Sequence, residues 1–180
     1  MIDFVSDMDA ERWIPSLAYL NLGSYLNLIP GFTNVDCIAW TGQEMIADLN
    51  VLPWPFDDGS VKYVRAFDII EHLGKLTKVE ILRELARITA PGAVVLLRVP
   101  CISHPWALAS IQHAHGFNYN SFEQSYAQPW FKAKIVYVQL RDGGHRFKWN
   151  RFWRFACKWT RLVSAITFEL ERIEGGSLHA

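Results

Sequence analysis

The sequence predicts a doubly wound α/β sheet, on three observations. Short apolar runs alternate with turn and helix signals through residues 17–100. The run Ala93–Val99 is almost continuously apolar, as in strands buried on both faces of a parallel sheet. An unmistakable helix start precedes it, where Thr77-Lys78-Val79-Glu80 fits a capping box.

The elements follow in order. Leu17–Leu22 reads as the first strand, closed by Gly23-Ser24. Thr33–Asp36 is a second strand ending in an acid, and Met45–Leu49 a third short element with Asp48 near its end. Pro53–Ser60 is rich in turn residues, and Val61–Phe67 is a fourth strand. Asp68–Leu73 is expected to be a short helix ended by Gly74. From Thr77, residues Ile81, Leu82, Leu85 and Ile88 form one apolar stripe, and Pro91-Gly92 is expected to stop the helix. Beyond the fifth strand, Lys134–Leu140 alternates as a sixth strand and Ile166–Leu170 as a late one. Residues 146–161 are expected to be an amphipathic helix. Phe152, Phe155, Ala156, Trp159 and Val163 share its apolar side, beside a stripe of Arg151, Arg154, Lys158 and Arg161.

Composition narrows the classes of function. The chain has 180 residues, 51% of them hydrophobic and 20% charged, the balance of one globular domain. Its formal net charge is zero. The zero hides a division: residues 1–100 carry 13 acidic and 8 basic residues, and residues 101–180 carry 5 and 10. With zero net charge overall and no Asn-Pro-Pro-Tyr or Asp-Pro-Pro-Tyr motif, nucleic acid is not an expected partner. The acidic N-terminus lacks the apolar core of a secretory signal, and no run is long enough to span a membrane, so a cytoplasmic location is expected. Three cysteines form no disulfide or zinc pattern. His113 and His115 share a face only on a strand and have no evident third ligand, so no metal is expected. Eight tryptophans leave room for a homodimer interface.

Six blocks in order resemble the class I S-adenosylmethionine-dependent methyltransferases, in particular the small "type 11" branch. They are Leu20-Asn21-Leu22-Gly23-Ser24, Ile29–Asp36, Ala47-Asp48-Leu49, Leu52–Val61, Ile70-Glu71-His72-Leu73 with Leu82–Ile88, and Pro91-Gly92 before a strand. The resemblance implies a Rossmann-like three-layer α/β/α sandwich over 1–180, with a cofactor half (1–100) and an acceptor half (101–180). It implies S-adenosylmethionine as cofactor, S-adenosylhomocysteine as product, and a small-molecule, glycan or lipid-linked acceptor, anionic if the basic stripe faces it.

The implied cofactor residues are Asn21, Gly23, Ser24 and Tyr25 at the first turn, Asp36 on the ribose, Asp48 and Leu49 on the adenine, and Ala66 and Phe67 after the fourth strand. A side-chain-poor turn lets backbone N–H groups approach the methionine end, and a strand-end carboxylate accepts from ribose hydroxyls. His104, beside the expected acceptor position, is the candidate base; His72 reads mainly as a structural signature. Tyr25 stands where the family usually has a second glycine, and fewer residues precede the first strand than in many members. Both features suit an alternative, a methyltransferase fold retained as a non-catalytic binding or scaffold module. A nicotinamide-dependent oxidoreductase is disfavoured. No GxGxxG follows the first strand, and Asp36 comes too soon after Gly23 for that fingerprint.

Overall fold

The computed structural model describes residues 16–42, 44–122, 129–140, 146–148, 150 and 163–174. Eight strands form one sheet: β1 (Ser16–Leu22), β2 (Phe32–Asp36), β3 (Met45–Ile46), β4 (Val61–Phe67), β5 (Thr89–Pro100), β6 (Phe131–Leu140), β7 (Arg146–Lys148) and β8 (Val163–Arg172). Their order is β3-β2-β1-β4-β5-β8-β6-β7. The first five are parallel, whereas β8 runs antiparallel between β5 and β6. An all-parallel dinucleotide-binding sheet of order 3-2-1-4-5-6 has no such strand.

The helix α1 (Lys78–Ile88) starts as its sequence dictates. Thr77 accepts from the Glu80 N–H, and Glu80 reaches back to the Thr77 N–H. Ile81, Leu82, Leu85 and Ile88 are all buried. The helix ends at Ile88, short of Pro91-Gly92, because Thr89 caps it: its hydroxyl and its N–H both donate to the Leu85 carbonyl. Thr89 then opens β5 directly.

Glu84, buried on α1, ties down the turn-rich segment before β4. It accepts from the Trp54 N–H (2.6 Å) and from two nitrogens of Arg87, while Arg87 donates on to the Trp54 and Phe56 carbonyls. Trp54 and Phe56 are thereby held in the core. Residues Ile70–His72 form a single helical turn rather than a longer helix. A second short helix, α2, spans Pro105–Ala109. No described helix is long and apolar enough to cross a membrane.

Two expectations need correction. Arg146–Lys148, expected as the start of a helix, is a strand paired with Tyr137–Gln139 of β6, and Val163 begins β8. Most of the expected amphipathic helix lies outside the described residues. The regular alternation of strand and helix also fails. No helix lies among the described residues of the connections β1–β2, β2–β3 and β3–β4. Parallel strands normally need a helical crossover, which covers the sheet and occupies the backbone polar groups between them.

Two buried asparagines serve in its place. Asn34 accepts at Oδ1 from the Asn21 side chain (2.8 Å) and the Ile29 N–H (2.9 Å), and donates to the Ile29 and Phe32 carbonyls. Asn21 donates its other proton to the Asn27 carbonyl (2.8 Å) and accepts from Arg65 (2.6 Å). The loop 23–31 is thus bonded to strand side chains instead of packed as a helix. Replacing Asn34 by Ala strands the Asn21 amide and the Ile29 N–H out of water. We expect Asn34→Ala to lower unfolding free energy by about 3 kcal/mol in urea titration. A loss under about 1 kcal/mol would show that the loop does not depend on this side chain.

Candidate functional site

The carboxyl ends of β1, β2, β4 and β5 lie along one edge of the sheet, where open α/β sheets bind ligands. At the β1 end, Gly23 has φ +64°, and a Cβ there would lie 2.6 Å from Cβ of Ile69. Only glycine satisfies both the left-handed backbone and this close approach. Gly23→Ala should cost about 2–4 kcal/mol of stability, from left-handed strain plus overpacking. Thermal melting checks it.

The next turn residues are held from inside. The Ser24 N–H donates to the Val35 carbonyl (3.0 Å), and the Tyr25 N–H to Asp36 Oδ2 (2.9 Å). Tyr25 keeps a glycine-like φ of +46°. Its side chain is half-exposed, and its ring meets Trp40 edge-on at 4.8 Å. The Ser24 hydroxyl is buried and has no partner among the described residues. Asp36 is half-buried, and its Oδ1 also accepts from the Ile38 N–H (3.2 Å). Each oxygen retains a further lone pair for a ribose hydroxyl.

The other expected cofactor residues separate into two groups. The third element is a strand only over Met45–Ile46, so Asp48 lies exposed in the loop beyond it, accepting from the Asn50 N–H and 3.9 Å from the Lys75 ammonium. Phe67 is half-buried between the guanidinium groups of Arg65 and Arg98. Asn21, Leu49 and Ala66 are interior. Both amide protons of Asn21 are taken by Asn27 and Asn34, Leu49 sits in the core, and Ala66 is fully buried. Their side chains therefore shape the edge from beneath.

Beside this edge, at the ends of β4 and β5, opens a cleft of ≈ 480 Å³. Asp68, Glu71 and His72 line it after β4, Arg98 and Pro100 on β5, His104, Ser110 and His113 on the segment after β5, and Gln139, Ser164 and Ala165 on β6 and β8. His104 is buried on the wall of this cleft. Arg98 pairs with Asp68. Glu71, His72 and His113 were not brought together by sequence reasoning. The segment carrying His113 docks because the Ala114 and His115 N–H groups both donate to the Glu71 carbonyl. No periodicity or spacing encodes that contact. The nearest signal was the pair His113/His115, and His115 turns away to donate to the Leu73 carbonyl.

Burial pushes the Glu71 carboxyl up to about 8, with Asp68 adding to the shift and Arg98 opposing it. Burial, with His113 alongside, lowers the pKa of His72. The raised Glu71 value means that the folded protein holds this proton after the unfolded chain has lost it. Its stabilisation is complete below 4.5 and is lost as pH rises to about 8. His72, lowered from 6.5, acts in the opposite sense and only up to about that value. In metal-free buffer, thermal stability should fall between pH 6.5 and 8. Glu71→Gln should flatten that fall.

Comparison with solved structures settles the fold class. Over 85% of each chain, the structure superposes on an S-adenosylmethionine-dependent methyltransferase from Archaeoglobus fulgidus, with TM-score 0.61 and 11% identity. The chain has the methyltransferase fold. The YcgJ protein of Bacillus subtilis matches with TM-score 0.60 at 12% identity, over 87% of this chain and 92% of its own. A Haemonchus contortus phosphoethanolamine N-methyltransferase 2, solved with S-adenosyl-L-methionine, matches with TM-score 0.59 at 12% identity, over 89% of this chain and 49% of its own. No protein-family model matches the sequence, and no curated protein is significantly similar to it.

Proposed function

We propose that this chain binds S-adenosylmethionine across the ends of β1 and β2 and methylates an acceptor seated in the cleft at the ends of β4 and β5. The observation that carries the reading is adjacency. In a sheet of methyltransferase order, the Gly23 turn with its Asp36 carboxylate packs on Ile69, next to Asp68 at the rim of a cleft that holds six ionisable side chains.

The cofactor supplies a methyl group on a sulfonium, already activated for displacement. The protein's part is to orient the acceptor and exclude water. Asp36 accepts from the ribose while fixing Tyr25, so binding and loop geometry share one carboxylate. The buried Ser24 hydroxyl is available to a ligand at the turn. Asp48 is the exposed acceptor for the adenine amino group. His104 takes the proton where the acceptor still carries one. The acceptor is a small molecule, glycan or lipid-linked group.

A second reading, a non-catalytic binding module, draws on the turn itself. Tyr25 replaces the usual glycine, and the Ser24 and Tyr25 N–H groups are spent inside the protein. Calorimetric titration separates the two. Micromolar binding of S-adenosylmethionine and S-adenosylhomocysteine, lost in Asp36→Ala and absent for NADH, is the expected result. Absence of binding by both sulfur ligands would leave the non-catalytic reading.

A further inference from the structure

The geometry points to a site for a first-row divalent metal ion, of the zinc class, formed by Glu71, His72 and His113 on the wall of the cleft. Their candidate ligand atoms lie within 4.8 Å of one another. An ion equidistant from three such atoms needs them to draw in by at most roughly 0.7 Å to reach ordinary metal–nitrogen and metal–oxygen lengths. Two imidazoles and one carboxylate form a known donor set for catalytic zinc and for other first-row ions, and it leaves coordination positions open.

The hydrogen bonds around the three residues are those that a metal site needs. His72 Nδ1 faces the Gln112 carbonyl at 3.2 Å, and His113 Nδ1 faces the Ala107 carbonyl at 2.9 Å. A carbonyl can only accept, so both Nδ1 atoms carry the proton and both Nε2 atoms present lone pairs. Backbone carbonyls on the far nitrogen are the usual means of fixing the tautomer of a metal-bound histidine. The two rings pack edge-on, with centroids 4.8 Å apart.

Glu71 supplies the second, independent sign. It is 1% exposed, it lines the cleft, and its Oε2 has no hydrogen-bond partner among the described residues. A buried carboxylate oxygen without a partner is costly, and a cation at this point removes the cost. The backbone holds the set together, since the Glu71 carbonyl accepts from Ala114 (2.8 Å) and His115 (3.2 Å), next to His113. The three residues line the cleft, so an oxygen ligand can reach the remaining positions of a bound ion: water, or an acceptor oxygen where the methyltransferase reading holds. The ion-binding site itself does not depend on that reading.

The test is titration of chelator-treated full-length protein with Zn²⁺ by calorimetry and with Co²⁺ by visible absorption. One equivalent should bind. His72→Ala and His113→Ala should each weaken it by more than about 100-fold, beyond the usual effect of losing a supporting partner. Zn²⁺ should raise the thermal midpoint of the native protein and of His115→Ala, but not of Glu71→Gln. Melting curves in metal-free buffer show which variants are folded. No binding by the native protein would overturn the site, as would binding that His72→Ala and His113→Ala leave intact. A parallel S-adenosylhomocysteine titration keeps the two proposals apart, because either ligand can bind when the other does not.

Discussion

The buried pair Asn21–Asn34 is the contact on which the carboxyl edge of the first strands depends. Removing a crossover helix from between two parallel strands leaves backbone donors and acceptors over the sheet with nothing to bond them. Four of those groups, on Asn27, Ile29 and Phe32, are satisfied by the two side chains. The loop they hold runs directly from Gly23 into β2, so the turn and Asp36 are fixed by one network. Asp36 closes it by accepting from Tyr25. A buried polar cluster of this kind is stable only if every member is satisfied, and here each amide proton of Asn21 and Asn34 has an acceptor.

The wall of the cleft is built on a different principle. Its anchor is a backbone carbonyl, that of Glu71, to which the segment after α2 is bonded. The same residue puts a carboxyl group into the cleft. The fold has thus joined, at one residue, the contact that closes the cleft wall and the group with the most perturbed environment on it.

Much of this was legible in the sequence. The strands near 17–22, 33–36, 61–67 and 93–99, the capping box at Thr77, and the methyltransferase order of blocks all rest on local signals. The Gly23 turn was legible because a left-handed residue at a strand end favours glycine, and the acid ending the second strand was visible as a residue whose role the resemblance alone suggested. The missing crossover helices were not, because a strand–turn–strand reading of residues 17–36 is compatible with either connection. Nothing local in the sequence announces that Asn21 is bonded to Asn34, thirteen positions away. The burial of Leu49 and Ala66 is equally hidden, because it depends on elements packed over them from elsewhere in the chain. His113 was visible only as half of an alternating pair, since its separations of 41 and 42 positions from His72 and Glu71 carry no periodic signal. The strand β7 was hidden by an aromatic-basic run that suits a helix equally well.

Hydrogen exchange with and without S-adenosylhomocysteine tests the central claim most directly. It asks where on the sheet the cofactor binds, and it needs no known acceptor. The account predicts added protection in the loop after Gly23 and at Asp36–Ile38, whose amides frame the proposed ribose carboxylate. Protection confined to other parts of the chain, or none at saturating ligand, would contradict it.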